Sequence, residues 1–229
     1  MTNTIIVCGY GPGISSAVAA KFGSAGFRVA LVARTKAKLD AAVKELRSKG
    51  VKAAAFPTDL GDPEAVASMV AAVRKELGPP TVIHWNAYAA TAGDLVTSAP
   101  SEVRKLMDVG VTGLVAAIQA ALPDLRAQKN AAVLITGGGL AFYDSSVDAM
   151  AAQRNVMGLA VAKAAQHKLA GVLAARLRPE GIYVGEIVVT GLVRGTAFDT
   201  GNARMEASSI AKKFFEMYTA RSAPSVTLG

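Results

Sequence analysis

Six short apolar runs punctuate the chain, at residues 4–8, 28–33, 51–56, 81–86, 131–136 and 182–188. Between them lie longer stretches in which apolar residues return at three- and four-residue intervals. The first pattern predicts strands, and the second predicts helices over 13–25, 35–49, 63–77, 100–128 and 149–177. Asp62-Pro63-Glu64 marks one helix start: the Asp oxygen caps free backbone N–H groups, and proline stands where its missing donor costs nothing. Because the strand-like runs are continuous rather than alternating, each strand is expected to be covered on both faces, as in a parallel sheet. Alternating strands and helices with right-handed crossovers predict one α/β domain over 1–229, a three-layer doubly wound parallel sheet with its ligand site at the carboxyl ends of the strands. From Gly191 onward the pattern changes, and 191–220 is read as a substrate lid or subunit-contact segment.

Composition agrees with a single core: 229 residues, 52% hydrophobic and 18% charged. The formal charge of +8 does not point to nucleic acid, since Lys36, Lys38, Lys44, Arg47 and Lys49 are spaced along one helical stretch with acids among them. An anionic cofactor or substrate is the milder partner for that charge. No apolar run reaches the ~18 uninterrupted residues of a membrane helix, and Met1-Thr2-Asn3 leads straight into the first strand, so a cytoplasmic protein without a membrane partner is expected. Cys8 is the only cysteine, and it lies in an apolar run as a buried thiol would. With it and two histidines, no metal centre is expected.

The first strand runs into Gly9-Tyr10-Gly11-Pro12-Gly13-Ile14-Ser15 and then an Ala-rich helix. Glycines there let the backbone approach a pyrophosphate, while the helix amino end offers unpaired N–H groups and partial positive charge. The second strand ends Ala33-Arg34-Thr35, without the carboxylate that would hold an NAD ribose. Arg34 offers a planar fork for a phosphate dianion and Thr35 a neighbouring hydroxyl, which predicts a Rossmann fold holding NADP(H).

Here the chain resembles the short-chain dehydrogenase/reductase family, from Ile5 to about Thr196. The glycine loop from Gly9 to Ser15 is similar to the family's, with Ser15 in place of its last glycine. Asp59-Leu60 matches its Asp-Leu pair, and Trp85-Asn86-Ala87-Tyr88 a reduced form of its Asn-Asn-Ala-Gly turn. The passage from Leu173 to Val184 matches its helix-to-sixth-strand segment. The resemblance implies cofactor contacts at Gly9, Gly11, Gly13, Ile14, Ser15, Arg34, Thr35, Asp59, Leu60, Asn86, Ala87, Lys163 and Thr190.

The family's catalytic Tyr, Ser and relay Asn fall on Leu159, Gly138 and Gly110, none of which moves a proton, whereas its Lys falls on Lys163. The chain is thus similar to an atypical branch that keeps Lys without the Ser-Tyr pair. Candidates for a substitute donor are Tyr143, Ser145 and Ser146 on the loop after the fifth strand, and Tyr88 and His84 near the end of the fourth. Tyr143 is the favoured catalytic partner of Lys163, with water as the other donor. The family also pairs its fourth and fifth helices across a two-fold, which implies a homodimer or homotetramer through 100–128 and 149–177, both rich in small apolar residues. Two functions lead, with other chemistry on the same scaffold, such as a lyase or isomerase, also open. One is an NADP(H)-dependent oxidoreductase acting on a small carbonyl or enone. The other is a cofactor-binding protein, sensor or partner, without hydride chemistry.

Overall fold

The computed structural model describes residues 3–229; Met1 and Thr2, read above as leading into the first strand, lie outside the described residues. Among the described residues, seven strands form one parallel sheet: β1 (Thr4–Cys8), β2 (Arg28–Ala33), β3 (Ala53–Pro57), β4 (Val82–Trp85), β5 (Ala132–Gly138), β6 (Tyr183–Val189) and β7 (Ser225–Leu228). Their order is β3-β2-β1-β4-β5-β6-β7, so chain direction reverses across the sheet between β1 and β4. In such a sheet the crevice at that reversal, outside the carboxyl ends, receives ligands.

The helices are α1 (Ile14–Ser24), α2 (Lys36–Ser48), α3 (Pro63–Leu77), α4 (Pro100–Met107), α5 (Gly113–Ala127), α6 (Ser145–Gln153), α7 (Met157–Leu177) and α8 (Ala207–Ala220). Every residue of β1 and β4 is buried, as continuous apolar strands require when both faces are covered. One core packs Ile6, Cys8 and Ile83 against α3, α5 and α7; the other packs Ile5, Val7 and Val82 against α1, α2 and α8. Trp85 and Phe22 are among the largest side chains fully enclosed, each adding about 1.5–3 kcal/mol by leaving water. Cys8 is fully buried, and desolvation raises its thiol pKa far above the usual range. The Asp62 cap forms as read: its carboxylate accepts from the backbone N–H of Glu64 and Ala65.

Three sequence expectations need correction. The segment 191–220, read as a lid or subunit-contact segment, is not irregular throughout, because α8 packs into the core. Its Ile210, Phe214, Met217 and Tyr218 are buried, and the Tyr218 ring meets Phe22 edge-on at 5.6 Å. Only residues 191–206 stay irregular, and β7 then adds a seventh strand beyond β6. The helix predicted over 100–128 is interrupted at Asp108–Thr112 by a π-helical turn, in which the Gly113 N–H reaches back to the Asp108 carbonyl. The helix predicted over 149–177 begins at Ser145 and breaks between α6 and α7, where Asn155 takes φ 52°.

The stretch Pro100–Ala127 holds an 18-residue window of mean hydropathy 1.5, long and apolar enough to cross a membrane by composition. Here its Leu114, Ala117, Ile118, Ala121 and Leu125 pack onto the sheet, and Arg74 of α3 clasps Asp124 with two N–H groups.

Candidate functional site

The carboxyl ends of β1, β2 and β4 are stitched together by the glycine loop. The N–H groups of Gly9 and Tyr10 both donate to the Val32 carbonyl, at 3.0 and 2.8 Å, and the Asn86 N–H donates to the Cys8 carbonyl. Gly9 has φ 80°, and a Cβ there would lie 2.6 Å from the Cα and N of Ala87. The turn therefore fits against the β4 end only without a side chain. Ser15 and Asn86 brace it from inside. Ser15 Oγ donates to the Gly9 carbonyl at 2.9 Å, and Asn86 Nδ2 donates to Ser15 Oγ at 2.7 Å. These two predicted contact residues thus shape the cradle with their side chains.

α1 starts behind Gly13 (φ 87°) with no side-chain cap, so its first N–H groups stay available to an anion. Gly11 has open space where a side chain would be, and Ile14 is buried beneath the loop. A Cβ on Gly13 would meet Thr196 Cγ2 at 2.6 Å, so the irregular 191–206 segment crosses directly over the glycine loop. Thr196 is a site neighbour that the sequence reading missed.

Two residues past Val32, Arg34 is exposed and makes no hydrogen bond or ion pair with the described residues; Thr35 beside it is exposed and caps nothing. The Thr58 N–H donates to the Ala33 carbonyl, which sets the end of β3 alongside. Asp59 next to it is exposed, with one carboxylate oxygen accepting the Gly61 N–H, while Leu60 is buried. Ala87 is buried at the β4 end. Thr190, past β6, donates from its hydroxyl to the Leu228 carbonyl and so is tied to β7.

Lys163 sits deeper. Its Nζ donates to the Thr136 carbonyl and to Gln166 Oε1, both at 2.8 Å, and Gln166 Nε2 donates to the Gly110 carbonyl inside the π-helical turn, also at 2.8 Å. Desolvation pulls the lysine pKa down to about 8, and Glu186 opposes that fall. Glu186 itself is buried in β6, with Oε2 at 2.6 Å from His167 Nδ1 and Oε1 without a partner. Gly137 leaves room for that carboxylate. Leu159, where the family tyrosine would stand, is buried beside Lys163 and lines with it, Ala87 and Gln166 a cavity of about 10 Å³. That is space for about one water molecule. A Cβ on Gly138 would come no closer than 4.0 Å to the Lys163 stem and the Val189 carbonyl.

The candidate donors scatter. Tyr143 is fully exposed. Ser145 and Ser146 open α6, where Asp144 accepts from the backbone N–H of Ser146 and Val147, so this trio serves as a helix cap. His84 is fully buried with its ring against Phe214 and its Nε2 at 3.0 Å from Thr136 Oγ1; burial lowers its pKa to about 3, so it stays neutral. Tyr88 lines the cavity's outer side and packs against Phe198 of the 191–206 segment, centroids 5.7 Å apart. None of Thr136, Gln166, His167 and Glu186 was read from the sequence as a site residue.

A family model described as short chain dehydrogenase matches residues 3–207. A short chain dehydrogenase of Pseudocercospora fijiensis is 31% identical over 182 residues, covering 78% of this chain and 56% of that protein. A 3-dehydrosphinganine reductase of Arabidopsis thaliana is 35% identical over 125 residues, covering 54% of this chain and 37% of that one. The chain thus spans about half or less of the length of these relatives. Among solved structures, a short chain oxidoreductase of Pseudomonas aeruginosa PAO1, described as containing an atypical catalytic center and bound to NADPH, superposes with TM-score 0.83 at 19% identity. That match covers 99% of this chain and 95% of the other.

Proposed function

The chain belongs to the short chain dehydrogenase family, and from that premise we propose that it is an NADP(H)-dependent oxidoreductase acting on a small carbonyl or enone, with a proton donor other than the family tyrosine. The observation that carries this reading is the pairing of two cationic groups with a glycine-rich cradle: exposed Arg34 at the outer end, Lys163 at the inner end, and the loop carrying Gly9, Gly11 and Gly13 between them. The fit of the cofactor rests on that donor set. α1 and the glycine loop hold the pyrophosphate, Arg34 and Thr35 the 2′-phosphate, Asp59 the adenine side, and Lys163 the nicotinamide ribose.

When bound, the nicotinamide supplies the hydride. The chain's own residues would orient it, Lys163 through the nicotinamide ribose. Leu159 offers no proton, so the one-water cavity beside Lys163 supports water as donor. Tyr143 serves only if its loop brings the phenol inward, and Tyr143→Phe separates the two routes.

The deciding experiment follows NADPH absorbance with a panel of aldehydes, ketones, quinones and enones. Oxidation with any member supports the reductase, whereas tight binding without oxidation supports the second reading, a cofactor-holding protein without hydride chemistry, which the loss of hydroxyls at Leu159 and Gly138 favours. Lys163→Ala is expected to weaken NADPH by ~1–3 kcal/mol, the usual cost of unmatched polar partners. Saturating NADPH then restores most of the rate. The ammonium is present below its lowered pKa, so the lysine's share of cofactor affinity is lost as pH rises through about 8. A flat affinity profile from pH 6.5 to 9.5 would count against the ribose role.

The chain is also proposed to form a homodimer or homotetramer through α5 and α7. Only 39% of the apolar window in 100–127 is buried within one chain, and Val161 and Val172 of α7 are about half exposed. A closed symmetric interface would cover them. Sedimentation at micromolar concentration should give a mass above the 23.4 kDa monomer.

A further inference from the structure

Lys163 and Gln166 lie three residues apart on one face of α7, in contact with each other. Gln166 is 1% exposed, an uncommon place for an amide unless both its ends are matched. Here each end has one partner, and the partners dictate the orientation. The Gly110 carbonyl only accepts, so it must face Nε2; the Lys163 ammonium only donates, so it must face Oε1. Reversing the amide would turn both contacts repulsive. The Gly110 carbonyl in turn belongs to the π-helical turn between α4 and α5, a class of irregularity frequent at functional sites.

A continuous chain of donors and acceptors therefore runs from that turn through Gln166 to Lys163 and on to the Thr136 carbonyl at the end of β5. It commits two of the three ammonium N–H groups and leaves one for a ligand. Lysine has a flexible four-carbon stem, and without such ties its charge is poorly placed. Neither Gly110 nor Leu159 brings a polar side chain to this spot, so Gln166 is the polar side chain that holds the ammonium.

We propose that Gln166 is a positioning residue, which fixes the Lys163 ammonium between the π-helical turn and the end of β5 so that its third N–H points at the ribose of a bound dinucleotide. The last clause rests on the cofactor reading above; the tie itself does not. The other titratable groups around Lys163 are Glu186 on β6, which acts on it through space, His167 one turn along α7, which pairs with Glu186, and Tyr88 on the outer side of the cavity. All three are unchanged in the variants below.

The test uses the full chain labelled with ¹³C-lysine, the Lys163 signal being assigned from Lys163→Met. Gln166→Glu places an anion against the ammonium and should raise its titration midpoint by about one unit or more. Gln166→Leu removes the acceptor and dries the site further, so the midpoint should fall, and NADPH affinity at neutral pH should drop about tenfold, a charged hydrogen bond's typical share. Gln166→Asn is too short to span both partners and should behave like Leu.

If Gln166→Leu folds poorly, with the Gly110 carbonyl left bare, the Glu and Asn variants still decide the matter. Midpoints unmoved in the Glu variant and in either shortened variant overturn the proposal, even where stability falls, because a merely structural glutamine would not shift the lysine. If Lys163→Met leaves NADPH affinity unchanged, the ribose reading fails, while shifted midpoints still establish the tie. If Lys163→Met weakens NADPH and no Gln166 variant does, the positioning role is overturned.

Discussion

Gly9→Ala is expected to lower folding stability by ~2–5 kcal/mol and to abolish NADPH binding at concentrations that saturate the parent chain. Two costs add. A non-glycine residue in the left-handed region costs ~1–2 kcal/mol, and Gly9 has φ 80°. Overpacking costs ~1–3 kcal/mol, and here the obstacle is the Ala87 backbone at 2.6 Å, which cannot rotate away as a side chain tip would. Relief requires β1 to separate from β4 at the place where the Asn86 N–H binds the Cys8 carbonyl and Ser15 braces the loop, so the cradle is lost with the packing. Urea unfolding read alongside an NADPH fluorescence titration measures both effects. Gly11→Ala is the control: nothing lies within 4 Å of its added Cβ, so its unfolding midpoint should stay near that of the parent. Equal midpoints for both variants would show that the close approach to Ala87 does not constrain the turn.

Arg34→Ala should weaken NADPH by ~1.5–3 kcal/mol, roughly tenfold to a hundredfold, while barely changing NADH. The guanidinium has no partner to release among the described residues, so the loss reports phosphate binding with little structural cost. Arg34→Lys should recover part of the affinity, because an ammonium keeps the charge and gives up the two-pronged geometry. Equal losses for both dinucleotides would remove Arg34 from the 2′-phosphate site.

Where the residues of the outer half of the candidate site lie was legible in the sequence, because they occupy short consecutive stretches at strand ends. Gly9 to Ser15, Arg34-Thr35 and Asp59-Leu60 each follow a strand by one or two residues, so predicting the strand placed the residue. The inner half was not. Thr136, Gln166 and Glu186 converge from β5, α7 and β6, and no linear spacing links 136 to 166 or 186. The available signal was polarity out of place: a glutamine on the inner face of an Ala-rich helix, and a glutamate in the middle of an apolar strand, are both costly unless matched.

Similar reasoning explains the elements mistaken at the C-terminal end. Ile210, Phe214, Met217 and Tyr218 do carry helical spacing, but Gly191 and the irregular residues after it masked the helix that follows. β7 is only four residues long and partly exposed, too short for a period to register. Tyr143 was favoured for its place on the loop after the fifth strand, yet a loop's position does not fix which way a side chain leaves it.

The turn at Asp108–Thr112 bears on which changes of length the chain can absorb. A π-helical turn carries one residue more than an α-helix needs over the same rise, and the Gly113-to-Asp108 bond is that surplus made visible. Deleting Val111 would let the helix close at its ordinary spacing while Leu114, Ala117, Ile118 and Ala121 keep facing the sheet. The same deletion a turn later, inside α5, would swing every following side chain by about 100° and turn that apolar row toward solvent. What the shortened turn gives up is the carbonyl of Gly110 offered to Gln166. Here, then, an indel would separate foldability from site chemistry: the apolar row keeps its place on the sheet, while Gln166 loses the carbonyl that orients it toward the lysine.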